Sequence, residues 1–402
     1  MTIETPINLL APEVLRNPHP VLAAMREDSA IHKLTIREAG AYPWLVTRYA
    51  DCMALLKDER FTKDASKLER KRPPTDTETA AMSINHHMLT VDPPDHTRLR
   101  GLVHKAFTPR MIAALQTRIQ EVADLLIDRM AGKREIDLIA DYAFVLPVTV
   151  IADLLGIPAS DQDNFRRWSQ TIVIGGLRGD RGDELAVAAM EFIMYFHEMF
   201  ERRRAEPQDD LITALVQVEV AGDVLEPQEL ISMVFLLLVA GHETTVNLIG
   251  NGTLALLQNP DQLDLLRRKP ELIDTAIEEM LRYDGPVGAS TMRWALGDLE
   301  IDGKPIPKGA MVLASLLAAN RDPAAFENPD TFDITRNPNK HIAFGHGIHY
   351  CLGAPLARLE GAIAMNTLLR RLPTLRLAVR PDELEWNETL LLHGMKALPV
   401  GL

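Results

Sequence analysis

The chain has 402 residues, 47% apolar and 25% charged, which is the composition of an ordinary globular protein. Its 43 Lys and Arg stand against 56 Asp and Glu, a net charge of −13, so a polyanionic partner such as nucleic acid would be repelled. Two cysteines are too few for a disulfide scaffold and fit a reducing compartment.

The start, Met1-Thr2-Ile3-Glu4-Thr5-Pro6, has neither a basic cluster nor an apolar core, which predicts a cytoplasmic protein without an export signal. Ile31 to Ile36 and Trp44 to Val46 read as two short strands of a hairpin around Gly40. Cys52 falls at helical apolar spacing with Met53 and Leu56 and is assigned to the core. After Arg48 apolar residues recur at three and four in Met111 to Met130, Ala140 to Leu155, Leu185 to Arg204 and Pro260 to Tyr283, all predicted helices. Two segments lack a period. Pro73 to Val91 and the glycine-rich Gly175 to Asp183 are predicted to be irregular binding loops or lids. Short strands are expected at Leu299 to Ile306, Met311 to Leu313 and Leu375 to Ala378. No repeat or linker divides the sequence, so we expect a single domain over 1–402, mainly α with a smaller β portion.

One helix is predicted to run from Pro227, suited to a first helical position, to about Gln258, a rod of about 45 Å. Its unbroken apolar run, Met233 to Gly241, is far shorter than the about 20 residues of a membrane span, so it is read as crossing a protein core. Polarity intrudes at its centre, in Ala240-Gly241-His242-Glu243-Thr244-Thr245. A glycine inside a helix costs up to about 1 kcal/mol and a buried carboxylate costs more, so the intrusion marks a functional site. Thr244 lies one turn beyond Ala240 on the same face, where its hydroxyl can accept and donate while Glu243 draws protons from solvent.

The second chemical signal is Phe344-Gly345-His346-Gly347-Ile348-His349-Tyr350-Cys351-Leu352-Gly353. Its glycines loosen the backbone and let a flat ligand approach closely. Helix-forming sequence from Leu356 to Arg371 follows, and the positive end of its dipole favours a thiolate at Cys351. Such a thiolate, presented to something large and planar, is read as the axial ligand of haem iron.

The spacing of Phe344, Gly347, His349, Cys351 and Gly353 closely resembles the haem-binding loop of the cytochrome P450 superfamily. Ala240-Gly241-His242-Glu243-Thr244 resembles that family's oxygen-activation motif, and Glu279-Met280-Leu281-Arg282 its Glu-x-x-Arg motif. The likeness runs from about Asn17 to the C-terminus and is closest to soluble bacterial members that hydroxylate polyketides and macrolides. It implies a triangular, mostly helical fold with haem b held between the long helix and the cysteine loop. No Cys-x-x-Cys-His attachment sequence is present, so the haem is expected to be noncovalent.

By the same resemblance, Cys351 is the metal ligand and Thr244 and Glu243 deliver protons. Ala240, Gly241, Phe344, Gly345 and Gly353 would lie against the haem, with His96, Arg100, Arg293 and His349 on its propionates. Glu279 and Arg282 would be structural. Family geometry lines the substrate pocket with Met82, Leu89, Ile172, Leu236, Leu237, Ala240, Val287, Gly288, Ala289, Leu392 and His393. This list suits a polyketide, macrolide, terpenoid or steroid-like molecule. The basic run His96 to Arg110, four positive charges without an acid, would leave Arg98, Lys105 and Arg110 for an electron carrier, a ferredoxin or flavodoxin with its reductase. Two departures stand out. Thr331 occupies a position where the family often has Arg, and His393-Gly394 replaces a common Arg-Gly. The reaction implied is hydroxylation with O2 and two electrons. A peroxide-driven peroxygenase or a haem-fold module without turnover are the alternatives, and both fit the acid-alcohol pair less well.

Overall fold

The computed structural model describes residues 8–36, 42–68, 84–178 and 182–402. The chain divides into two compact units, each assembled from separated stretches: residues 1–69, 123–144 and 244–402 in one, and 70–122 and 145–243 in the other.

The first unit holds most of the β structure. A five-stranded sheet has the order Ile31–Lys33, Trp44–Val46, Met311–Ala314, Arg293–Ala295, Phe61–Thr62. The expected hairpin is present, with Ile31 opposite Val46; its turn around Gly40 lies outside the described residues. Met311–Ala314 runs parallel to Trp44–Val46, and its Val312 and Ala314 are buried with Val46, Cys52, Leu55 and Phe61. Cys52 therefore is core, and burial pushes its thiol well above the usual range.

The segment Leu299 to Ile306, expected as a strand, is a hairpin of Leu299–Ile301 and Lys304–Ile306. Asp302 and Gly303 both have positive φ, +51° and +71°, the geometry of a two-residue turn that Asp-Gly favours. A three-stranded sheet joins Arg376–Leu377, Pro399–Gly401 and Glu135–Asp137. The helices of this unit include Ile273–Tyr283 and Ala354–Arg371. The periodic stretch Pro260 to Tyr283 is interrupted: Pro260–Arg268 ends before Lys269-Pro270, a 3₁₀ turn follows, and the helix resumes at Ile273. A residue before proline is driven out of the helical region, which accounts for the break.

Among its described residues the second unit is helical apart from loops and the small hairpin Glu219–Val220 with Asp223–Val224. Its helices include Asp95–Ala106, Val145–Leu155, Gln162–Arg178 and Gly182–Ala205. Of the segment Gly175 to Asp183, expected to be irregular, the described ends are helical, since one helix reaches Arg178 and the next begins at Gly182, while residues 179–181 lie outside the described residues. Propensity lost to a glycine, about 1 kcal/mol, is outweighed by helices this long.

The long helix spans Pro227–Gln258, 32 residues, with the two ends read from the sequence. By length and an 18-residue mean hydropathy of 1.5 it could cross a membrane, yet 61% of that window is buried inside the protein, as in a core helix.

Candidate active site

In the cysteine loop Gly345 and Gly347 adopt φ of +72° and +76°, and residues 347–349 make a 3₁₀ turn. At Gly347 a Cβ would stand 3.0 Å from the Leu56 carbonyl, so only glycine fits both the torsion and the space. The loop closes on itself through Cys351 N–H donating to the Phe344 carbonyl at 2.9 Å. Cys351 is exposed and lies three residues before the helix Ala354–Arg371, whose N-cap Gly353 offers no side-chain cap. The thiol stands where the helix dipole favours its anion. Among the described residues no cluster of three or more His, Cys, Asp or Glu could hold a bare metal ion. A porphyrin would bring the remaining ligands to a metal at Cys351.

On the long helix, Ala240 is exposed while Leu236 and Leu238 beside it are buried. His242 is fully buried, its Nδ1 2.7 Å from the Leu238 carbonyl, and burial lowers the imidazole to about 4 against that bond. Nδ1 faces an acceptor and therefore carries the hydrogen. The neighbouring Glu243 carboxyl is raised by burial, with Oε1 3.7 Å from His242 Nε2. Thr244 is half-buried and Thr245 buried.

Sequence reasoning missed Glu360. It is buried in the helix after the cysteine, and burial pushes its carboxyl up to about 8, opposed only by a hydrogen bond with the Thr245 side chain. Its Oε2 has no hydrogen-bond partner. A signal was present, since Glu360 interrupts the buried stripe Leu356, Glu360, Ala364 at four-residue spacing.

His96 is buried and Arg100 half-buried, one turn apart on Asp95–Ala106. Arg293 is buried in its strand, with a guanidinium nitrogen 3.3 Å from the Thr291 carbonyl, and His349 is half-buried in the 3₁₀ turn. Arg98 is half-buried, paired with Glu229 and within 3.4 Å of Asp223. Lys105 donates to the Glu219 carbonyl at 2.6 Å, and Arg110 is exposed.

Of the pocket residues, Met82 lies outside the described residues. In the second unit Ile172 and Leu236 are buried and Leu89 and Leu237 half-buried. In the first, Gly288, Ala289, Leu392 and His393 line one cleft, whereas Val287 packs onto the core containing Val46 and Leu316. Val287 bridges Leu392, and a Cβ on Gly288 would lie 2.7 Å from the Leu390 carbonyl, so a glycine at 288 is what lets the two segments approach this closely. His393 stacks on Trp386 at 4.3 Å and points Nε2 to Asp284 Oδ1 at 3.0 Å. The same oxygen meets His19 at 2.9 Å. Burial works to raise Asp284, but His393 and His19 outweigh it and hold the carboxyl below the usual range. The polarity of His393 is thus taken up inside the protein.

Glu279 and Arg282 are both fully buried and joined by two bonds of 2.7 Å. Arg282 also donates to the carbonyls of Asn320, Pro329 and Thr331. A second guanidinium reaches the pair from Arg336 rather than from position 331, its Nε 3.1 Å from Glu279 Oε2, while Asn339 and the Asp333 N–H also donate to the carboxylate.

The cytochrome P450 family model matches residues 181–395. The chain is 46% identical over 395 residues to the polyketide biosynthesis cytochrome P450 PksS of Bacillus subtilis, covering 97% of each. The chain belongs to the cytochrome P450 family. It is also 43% identical over 397 residues to the cytochrome P450 monooxygenase PikC of Streptomyces venezuelae, covering 98% of this chain and 93% of that one. The solved structure of the Bacillus PksS superposes with a TM-score of 0.92 at 44% identity, covering 98% and 99%. The protein therefore has the P450 fold and is a P450 monooxygenase whose cofactor is haem b.

Proposed function

We propose that this P450 hydroxylates a bulky apolar small molecule of the polyketide or macrolide class, in the cytoplasm, with electrons from a ferredoxin or flavodoxin and its reductase. The observation that carries the reading is an acid raised by burial, Glu243, followed by Thr244 at the centre of a 32-residue apolar helix. A peroxygenase or a silent haem module needs no such proton source. The polyketide assignment of the relative PksS and the apolar pocket residues support the substrate class.

In this reading Cys351 would hold the haem iron and His96, Arg100, Arg293 and His349 would hold the propionates through charge-assisted bonds to carboxylates. When bound, haem b supplies the iron at which O2 is reduced and cleaved, aided by electron donation from the thiolate. Burial leaves the ionised Glu243 poorly solvated and raises its carboxyl, so it holds a proton more readily than an exposed carboxylate does. Thr244 passes it on through its hydroxyl. Glu360 and Thr245 form a second buried proton store one residue along the helix.

Replacing Thr244 by Ala tests the reading. The variant should load haem and bind substrate normally but form product about 10² to 10⁴ times more slowly, with electrons released as peroxide. Wild-type yield of product per reductant consumed would overturn it.

A further inference from the structure

Behind the cysteine loop lies a charged cluster that nothing above uses. Arg358, seven residues beyond Cys351 on the helix Ala354–Arg371, lays its guanidinium over the Phe344 ring, 4.5 Å from the centroid. The same guanidinium is bidentate to Glu278, 2.6 and 2.9 Å, and one of its nitrogens is 3.5 Å from the Tyr350 hydroxyl. Glu278 sits on the helix Ile273–Tyr283 and meets His341 Nε2 at 3.1 Å. His341 Nδ1 accepts from the Ala343 N–H at 3.2 Å. That bond places a ring hydrogen on Nε2, so the imidazole donates to the carboxylate and braces the backbone entering Phe344. Burial tends to raise Glu278, but Arg358 and His341 outweigh it and hold the carboxyl down to about 2, so it is ionised at neutral pH.

The pair is neutral as a whole but oriented. Its positive member covers Phe344, whose carbonyl receives the Cys351 N–H, and its negative member stands on a different helix. We infer that Arg358, held by Glu278 and His341, is a positioning residue that sets the reduction potential of the iron ligated by Cys351. The inference rests on the reading of Cys351 as axial ligand. Reduction adds an electron to the thiolate-bound centre, so a cation nearby favours the reduced state and an anion opposes it. The side chain of Arg358 is 37% exposed, and water screens part of the effect.

The two charges give opposite signs, which a structural role would not. In spectroelectrochemical titration of the haem-loaded full chain, Arg358→Gln exposes the Glu278 charge and should shift the ferric–ferrous equilibrium three- to tenfold toward ferric. Glu278→Gln, which keeps an acceptor for His341, should shift it toward ferrous by a similar factor, tenfold being about 59 mV for one electron. The double variant should return near wild type. Shifts of the same sign in the two single variants, or none in either, overturn the inference. If Arg358→Gln fails to load haem, Arg358→Lys takes its place. A Lys that keeps the charge but lacks the planar fork should stay at wild type or move less than threefold toward ferric; a larger shift toward ferric, or any shift toward ferrous, overturns the inference. Absorption of the reduced, carbon-monoxide-treated wild type checks the ligand separately: a spectrum typical of imidazole coordination would remove Cys351 as ligand, whatever the potentials.

Discussion

Glu360 ties the site to pH. Its carboxyl sits at about 8 in the folded chain against an ordinary 4.5, because burial penalises the charge and Thr245 offsets only part of that. Below about pH 4.5 folded and unfolded chains both keep the proton. Between there and about pH 8 the unfolded chain releases it and the folded chain does not, so stability falls as pH rises, by at most about 1.4 kcal/mol per unit. Above about 8 the loss is complete. Glu360→Gln keeps a hydrogen bond with Thr245 and has no proton to lose. Its stability advantage over the wild-type holoenzyme in urea unfolding should therefore grow from pH 5 to pH 8 and then level, whereas a constant difference would contradict the assignment. At this scale the cysteine loop and the Ala240 to Thr245 run were legible, because glycines and a polar break in an apolar helix violate local rules. Glu360, Asp284 and His19 were not legible as partners. Each needs a residue far along the chain, as with Asp284 between His19 and His393, and no local period points to such a pairing.

Among the elements, the buried network of Glu279, Arg282 and Arg336 joins the helix Ile273–Tyr283 to residues 320–339. Glu279→Ala would leave the fully buried Arg282 guanidinium without its counter-charge, which costs about 3–5 kcal/mol. A lower urea midpoint and less haem per chain should follow, and a loss under about 1 kcal/mol would show the network to be dispensable. Thr331→Ala should change stability by no more than about 0.5 kcal/mol, because residue 331 contributes its carbonyl, which Arg282 and Arg336 both use. The sequence pair Glu279 and Arg282 was readable at three-residue spacing; the substitution of Arg336 for an expected Arg at 331 was not, since it depends on how the segment folds back. The helix Pro227–Gln258 was readable to its ends, where prolines at 227 and 260 bound a long apolar pattern. Strands such as Phe61–Thr62 and Arg293–Ala295 escaped notice because two or three residues carry no alternation, and pairing partners define them.

For the whole molecule, neither compact unit is one continuous stretch. The chain leaves the first unit after residue 69, returns for 123–144, leaves again and re-enters at 244. Two of those crossings fall inside helices: residue 123 lies within Pro109–Asp128, and residue 244 within Pro227–Gln258. Melting one unit would break the ends of helices whose remaining turns belong to the other, and a helix shortened in this way loses cooperative hydrogen bonds. We therefore predict, in line with a single domain over 1–402, that the holoenzyme unfolds in one transition. Calorimetric and van't Hoff enthalpies should agree, and loss of haem absorption should coincide with loss of helical circular dichroism. Two resolved heat-absorption peaks, or a haem signal lost before the helix signal, would show that the units unfold independently.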